Sequence, residues 1–497
     1  MTEPLSFEKS RPTLAGPRLP VAGVETSARL PHEHRRRRPP ALPRLSEPEI
    51  MRHYSRLASM NYSISEQFYP LGSCTMKYNP VANEEAARLP GFAGLHPYQD
   101  EDTAQGALEL MWLLERALCA IVGVERLTLQ PAAGAHGEWT ALRMIQAYHR
   151  SRGEDRTEVI VPDAAHGTNP ASAALCGFTV VEVRSGKDGR VDVADLEAKL
   201  SNRVAALMLT NPNTLGLFER QILEMAEMVH ATGAKLYYDG ANLNALMGVC
   251  RPGDMGFDAV HLNLHKTFTT PHGGGGPGAG PVGVKADLVP FLPRPTVERQ
   301  NGGFRLDHDR PRSIGRVRSF YGNFGMLVRA FTYIVAMGGD GLTDASRDAI
   351  LAANYLRRSL DGVLDLPHEG PCMHEFVASA RNLAPHGIRA LDVAKGLLER
   401  GFYAPTVYFP LIVSEAVMIE PTETESRATL DAFSAALRDI VDTAARAPDD
   451  LRAEPRSLPV GRLDEVAAAR NPVLRWRPDA ESDAGTDTTP AAPPSPH

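Results

Sequence analysis

The 497-residue chain carries 53 Lys and Arg against 60 Asp and Glu, a net charge of −7, which leaves no electrostatic footprint for nucleic acid. No window holds the ~18 uninterrupted apolar residues of a membrane helix, and the Arg-rich N-terminus, carrying Glu3, Glu8, Glu25 and Glu33, does not read as a secretory or transit signal. The five cysteines (Cys74, Cys119, Cys176, Cys250, Cys372) are scattered without a CxxC pair, which fits a cytoplasmic protein with no disulfide framework and no metal site.

Residues 1–45 read as an extended Pro- and Arg-rich arm, in which the run His34–Arg38 is a solvated stretch rather than a binding patch. Ser46 and Glu49 have the spacing of a capping box, so a helix is predicted from Ser46 to Leu57. Residues 61–80 are aromatic, polar and turn-rich, an ordered loop of the kind that carries function. Then come a helix over Ala104–Val122, a strand over Arg126–Gln130, a turn over Pro131–Gly137 and a helix from Glu138 to His149. Strands over Glu158–Val161, Phe178–Val183, Val204–Thr210, Lys235–Asp239 and Asp258–Leu264 alternate with helices at Asn169–Gly177, Asp192–Leu200 and Glu219–His230. This alternation, with near-continuous apolar strands, predicts an α/β fold with a mainly parallel sheet covered on both faces.

After Gly341 the pattern changes. Helices at Ser346–Leu360, Ala390–Arg400 and Glu425–Ala445 surround strands near His374–Ala378, Thr406–Leu411 and Ala416–Glu420, a smaller α+β unit. The expected division is 1–95 for the arm and an active-site loop, 96–345 for the large domain, 346–477 for the small one, and 478–497 for a polar, Pro-rich disordered tail.

Four clusters fall at the carboxyl ends of predicted strands, where open parallel sheets bind ligands. Leu264-His265-Lys266-Thr267 follows one of them. Most lysines are surface ion-pair partners, but one desolvated at a strand end can become a Schiff-base nucleophile. Asp239, 27 residues earlier, ends the preceding strand. Alone, such an acid is more often a helix cap or a metal ligand. Together with Lys266 it favours pyridoxal phosphate (PLP), whose ring nitrogen stays protonated beside a carboxylate and so makes the ring an electron sink. Gln130–Glu138, with Gly134, Ala135 and His136, joins a strand to a helix, where backbone N–H groups bind phosphate. Glycines are common in such joints, so this segment alone is a weak signal. In Ala165–Pro170, His166 can stack on a pyridine ring or cap the next helix. Thr210, Asn242 and His265 complete the expected cofactor contacts. The run Gly273–Gly280 is no dinucleotide fingerprint, because Pro277 and Pro281 interrupt it and no helix is predicted after it.

His261–Phe268 with Pro271–Gly278 resembles the PLP-lysine segment of the P-protein family of the glycine cleavage system, the decarboxylating glycine dehydrogenases. Tyr69–Lys77, Ala165–Ser172, Met418–Ser426 and Arg462–Trp476 resemble its other motifs, and the likeness spans residues 42–477. Single-chain P-proteins are about twice this length and carry the lysine motif in their second half, so the chain resembles the PLP-bearing half of a two-subunit form. The resemblance implies an aminotransferase-like PLP-dependent transferase fold (fold type I). It implies catalytic roles for Lys266, which would hold PLP as a Schiff base, for Asp239 at the ring nitrogen and for His166 on the ring face. It further implies glycine as substrate, the lipoyl arm of H-protein as acceptor, and a PLP-less glycine dehydrogenase subunit 1 as partner in an α2β2 assembly. The loop Ser73–Lys77 and the run Gly273–Gly280 become candidate walls for the lipoyl arm, while no arginine stands out for the glycine carboxylate. Tyr403 stands where His is common in the family. Two rival readings remain: another PLP enzyme, such as a glycine aldolase or an amino-acid decarboxylase, and a non-catalytic half that completes a partner's site.

Overall fold

A computed structural model describes residues 3–11, 13–14, 31–37, 40, 42–272 and 277–475. Arg38, the glycines 273–276 and the expected tail 478–497 lie outside the described residues. Helix α1 (Glu47–Ser59) opens as its capping box predicts, with the Ser46 N–H donating to Glu49 Oε2 at 2.8 Å. Helices α2 (Val81–Ala87) and α3 (Pro90–Ala93) follow the 61–80 loop, and α4 (Gln105–Val122) leads into β1 (Arg126–Thr128). Next come α5 (Gly134–Ser151), β2 (Glu158–Pro162), α6 (Thr168–Leu175), β3 (Thr179–Val183), α7 (Val193–Lys199), β4 (Val204–Thr210), α8 (Ile222–Ala231), β5 (Lys235–Gly240), β6 (Ala259–Leu262) and β7 (Val282–Val284).

These seven strands form one sheet in the order β1-β7-β6-β5-β4-β2-β3. Strands β3, β2, β4, β5 and β6 run parallel, and β7 lies antiparallel to both β6 and β1. Every residue of β4 is buried, as expected of a central strand covered on both faces. The architecture is the α/β fold that the alternating pattern predicts, with one antiparallel member that the short run Val282–Val284 did not betray.

Three further features differ from the sequence expectation. Helix α5 begins at Gly134 rather than Glu138, so the glycine-bearing turn is the first turn of the helix. Packing overrides poor propensity there: a side chain at Gly134 would collide with Asn263 Oδ1, and a Cβ at Gly137 would come within 2.8 Å of the Gly280 carbonyl. A hairpin of β8 (Thr296–Gln300) and β9 (Gly303–Asp307) was not predicted. Helix α9 (Phe324–Ser359) begins far earlier than Ser346, as two helical stretches joined at Gly338 (φ 61°, ψ −176°).

Beyond α9 lie β10 (Phe376–Ser379), α10 (Ala390–Glu399), β11 (Thr406–Val407), β12 (Ala416–Ile419), α11 (Arg427–Arg446), α12 (Pro448–Ala453) and α13 (Glu465–Arg470). Strands β10, β12 and β11 form an antiparallel sheet over its own core, which includes Leu356, Phe376, Val417 and Phe433. The 61–80 loop is tied to this C-terminal sheet by a bridge between Leu71 and Ile419, and by the Glu420 N–H donating to the Pro70 carbonyl at 3.2 Å. It is thereby held where the ends of β4, β5 and β6 open. No helix among the described residues is long and apolar enough to cross a membrane.

Candidate active site

Parallel register lines up three side chains at the carboxyl end of the sheet. Thr210 of β4 is level with Asp239 of β5, and Asp239 with His261 of β6. Asp239 is 3% exposed, yet its carboxylate is well supported. It accepts hydrogen bonds from Asn169 Nδ2 and the Ala241 N–H, each at 2.9 Å, and lies 3.4 Å from His261 Nε2. Burial opposes ionisation, but His261, the Asn169 amide, the Ala241 N–H and the charge of Lys266 outweigh it and hold the pKa below the ordinary value. The other nitrogen of His261 lies 2.5 Å from the Tyr237 hydroxyl, which fixes the ring.

Lys266 follows β6 in a turn closed by its own N–H donating to the Asn263 carbonyl at 3.0 Å. Its ammonium donates to the Ser73 carbonyl at 2.7 Å, so it stays in the cleft beside the 61–80 loop. Ser73 (φ 64°) and Thr75 (φ 44°) both adopt left-handed backbone, a strained arrangement that presents the carbonyl to the lysine. Cys74 lies between them. Burial raises its thiol pKa against the pull of Lys266.

The phosphate-binding expectation fits the start of α5. An 18-residue helix presents unsatisfied N–H groups and the positive end of its dipole at Gly134 and Ala135. His136 Nδ1 accepts from the Ala132 N–H at 3.1 Å, so its ring folds back on its own turn. On either side of Lys266, Nδ1 of His265 and the hydroxyls of Thr267 and Thr270 are buried without a hydrogen-bond partner among the described residues. Unsatisfied donors of this kind suit an anionic group. Burial, then His272 and Lys266, depress the His265 pKa to about 3, so its imidazole is neutral. A lysine, an ionised carboxylate and a donor-lined helix start are the three things PLP requires, and these residues fit it.

The other expected residues divide. His166 is exposed as a residue, yet burial and then Lys266 lower its imidazole pKa; Nδ1 lies 3.0 Å from Thr168 Oγ1, and the ring meets Phe409 edge-on at 5.6 Å. Asn242 turns away from the group around Asp239: its amide donates to the Pro212 carbonyl at 2.9 Å and to Glu375 Oε1 at 3.0 Å. Tyr403, the departure from the family pattern, stacks on Tyr69 at 4.0 Å. Lys77, of the expected channel wall, is instead buried and bonded to Asn244 Oδ1 at 2.8 Å and Glu423 Oε1 at 2.5 Å.

Sequence reasoning did not single out His261 or Asn169, although both lie inside the motifs that carry the resemblance. It also missed His374, Glu375 and Glu420, which are fully buried beside the 73–75 backbone.

The family model described as glycine cleavage system P-protein matches residues 22–299, and that described as glycine dehydrogenase, C-terminal domain, matches residues 345–455. This chain belongs to the P-protein family. Among P-proteins it is 57% identical to the probable glycine dehydrogenase (decarboxylating) subunit 2 of Caldanaerobacter subterraneus subsp. tengcongensis over 476 residues, 95% of this chain and 98% of the relative. It is 56% identical to the protein of the same description from Bacillus velezensis, over 95% of this chain and 97% of the relative. In fold it resembles a glycine decarboxylase (P-protein) solved in inhibitor-bound form, with TM-score 0.68 and 21% identity over 85% of this chain and 93% of that one. A cysteine desulfurase from Thermococcus onnurineus has TM-score 0.59 at 14% identity, over 76% and 95% of the two chains. The P-protein chain thus has the aminotransferase-like fold of PLP enzymes.

Proposed function

We propose that the chain is the PLP-bearing half of a glycine-decarboxylating enzyme, which releases CO2 from glycine and passes the aminomethyl group to the lipoyl arm of H-protein. The observation that carries this reading is the pairing of Lys266 with an ionised, buried Asp239 at adjacent strand ends, in a chain that matches relatives named for that reaction over 95% of its length. When bound, PLP supplies a sink for the electron pair left by the departing CO2.

The chain's own groups prepare the rest. Asp239, oriented by His261 and Asn169, would keep a proton on the ring nitrogen. The N-terminus of α5 with Thr267 and Thr270 would hold the phosphate, and His166 the open ring face. Lys266, released from the Ser73 carbonyl, would hold the cofactor and exchange protons with the substrate amine. The relatives' description as subunit 2 supports a separate subunit 1, and we infer an α2β2 complex in the cytoplasm.

The test is the visible spectrum of the purified chain beside Lys266→Ala, with and without borohydride, followed by CO2 release from carboxyl-labelled glycine. Yellow lysine-bound PLP, lost in the variant, is expected, with CO2 release that depends on subunit 1 and lipoylated H-protein. A protein that stays colourless with PLP and subunit 1 both present refutes the reading. Full CO2 release without H-protein supports a simple amino-acid decarboxylase instead.

A further inference from the structure

Beneath the 73–75 loop lies a group of polar side chains that the cofactor chemistry leaves unused. His374, Glu375 and Glu420 are each 0% exposed, and one nitrogen or carboxylate oxygen from each lies within 4.8 Å of the others. Glu375 Oε2 accepts from the Ser73 N–H at 2.8 Å, and Glu420 Oε2 from the Thr75 N–H at 3.0 Å. The two acids therefore hold both ends of the segment whose Ser73 carbonyl accepts from Lys266. Glu420 Oε1 and both nitrogens of His374 have no hydrogen-bond partner among the described residues, and His374 Nε2 lies 3.8 Å from Glu420 Oε1 and 4.0 Å from Glu375 Oε1.

The charges that face this group are few. Lys266 is positive. Lys77 and Glu423 neutralise one another, and Cys74 is held as a thiol. His374 is neutral, because burial and then Lys266 depress its pKa to about 3. Two carboxylates therefore face one ammonium, whose charge also serves the ionised Asp239, in a dry interior. Two like charges this close do not both ionise, so one proton restores neutrality. Burial raises both acids in accord with this, Glu420 to about 7.

The proposed reaction consumes one proton. Glycine enters as an ammonium carboxylate. CO2 leaves, and the electron pair of the broken C–C bond makes a C–S bond to the lipoyl disulfide, which is the oxidant. The S–S bond breaks, and its pair goes to the second sulfur as a thiolate. The aminomethyl product keeps its ammonium protons, so the thiolate must take a proton from the protein. Resting on that reading of the reaction, we propose that Glu375 and Glu420 share one proton, and that this pair, acting through Lys266, supplies the proton that the departing sulfur takes. Lys266 gives its proton to the sulfur, and the pair recharges the amine. The pair then regains a proton from solvent between turnovers. Both glutamates are positioning residues on this account, because Lys266 is the group that meets the substrate.

Infrared spectra of the PLP-loaded chain with subunit 1 test the shared proton, using glutamate labelled at its carboxyl carbon. Buried Glu219, raised to about 7, contributes a protonated-carboxyl band to both proteins, so the expected result at pH 7 is a band component present in the wild type and lost in the double variant E375Q/E420Q. No band component lost on that double substitution, or a stoichiometric metal ion on these three side chains, overturns the proposal. Glu420→Gln then tests delivery, since its amide oxygen can still accept from the Thr75 N–H. The yellow colour and the spectral change on adding glycine should persist. Single-turnover transfer to oxidised lipoyl H-protein should fall by at least about 10²-fold, the low end for general acid catalysis, with a flattened pH profile. Transfer at the wild-type rate and with the wild-type pH profile overturns the proposal. If the wild type transfers nothing to the lipoyl arm, the reaction reading and the delivery step fail together, while the infrared band still decides whether the proton is shared.

Discussion

Asp239 shows how a single buried charge is made tolerable. Two donors converge on it, from α6 and from its own strand end, and the His261 imidazole of β6 lies 3.4 Å away, so its carboxylate stays ionised where burial alone would neutralise it. Asp239→Asn keeps the shape and removes the charge. We expect it to bind PLP but to release CO2 from glycine at least about 10²-fold more slowly, an electrostatic loss of the size seen when one oriented stabilising group is removed. The measurement is a turnover assay with PLP in excess, and a rate within a factor of two of the wild type contradicts the role. Gly134 makes the complementary case at the other end of the cofactor. A methyl group there would meet Asn263 Oδ1 and push the start of α5 away from the strand ends. Gly134→Ala is expected to weaken PLP binding by about tenfold or more, the equivalent of about 1.4 kcal/mol, read by equilibrium titration of the visible band.

Helix α9 shows why some elements were hidden at the scale of secondary structure. Its first half buries Met326, Leu327, Ala330, Tyr333 and Ile334, a helical spacing plain in the sequence. Gly338, Gly339 and Gly341 fall where the sequence pattern changes, and the predicted helix begins only after them, at Ser346. The structure passes through this break at a single residue. Gly338 (φ 61°, ψ −176°) takes a conformation open only to glycine, whereas Gly339 lies within the helix, and a Cβ at either meets nothing within 4 Å. The two glycines therefore separate backbone strain from packing. Gly338→Ala should destabilise the chain by about 1–3 kcal/mol, while Gly339→Ala should be neutral or stabilising by up to about 1 kcal/mol. Urea midpoints at constant m-value measure both. Equal losses would show that the second half of α9 does not tolerate any added side chain here.

For the molecule as a whole, the legible part of the site was the part built from neighbouring strand ends. Lys266 and Asp239 could be read because each stands at the carboxyl end of its own apolar strand, and Gly134 because it joins a strand to a helix. His261 needed the register of β5 against β6. His374, Glu375 and Glu420 reach the 73–75 backbone only when the C-terminal sheet folds against the first eighty residues, a contact between segments some 300 residues apart that no local pattern records. The same tertiary burial sets how stability responds to pH. Glu420 is raised by burial from 4.5 to about 7, so the folded chain keeps a proton that the unfolded chain gives up. Its contribution is fully present below about pH 4.5 and is lost as pH rises through about 7. His374 is depressed by burial and by Lys266 from 6.5 to about 3, so the unfolded chain takes up a proton that the folded chain refuses. Its contribution is present above about pH 6.5 and is lost as pH falls toward about 3. Glu420→Gln removes the first dependence and leaves the second. Relative to the wild type, the variant should therefore gain stability on going from pH 5 to pH 8, with a slope of at most about 1.4 kcal/mol per pH unit. Urea midpoints of the wild type and the variant at the two pH values measure that difference. A variant whose advantage is the same at both would show that Glu420 is ionised in the folded chain throughout the range, with the ammonium of Lys266 as its counterion.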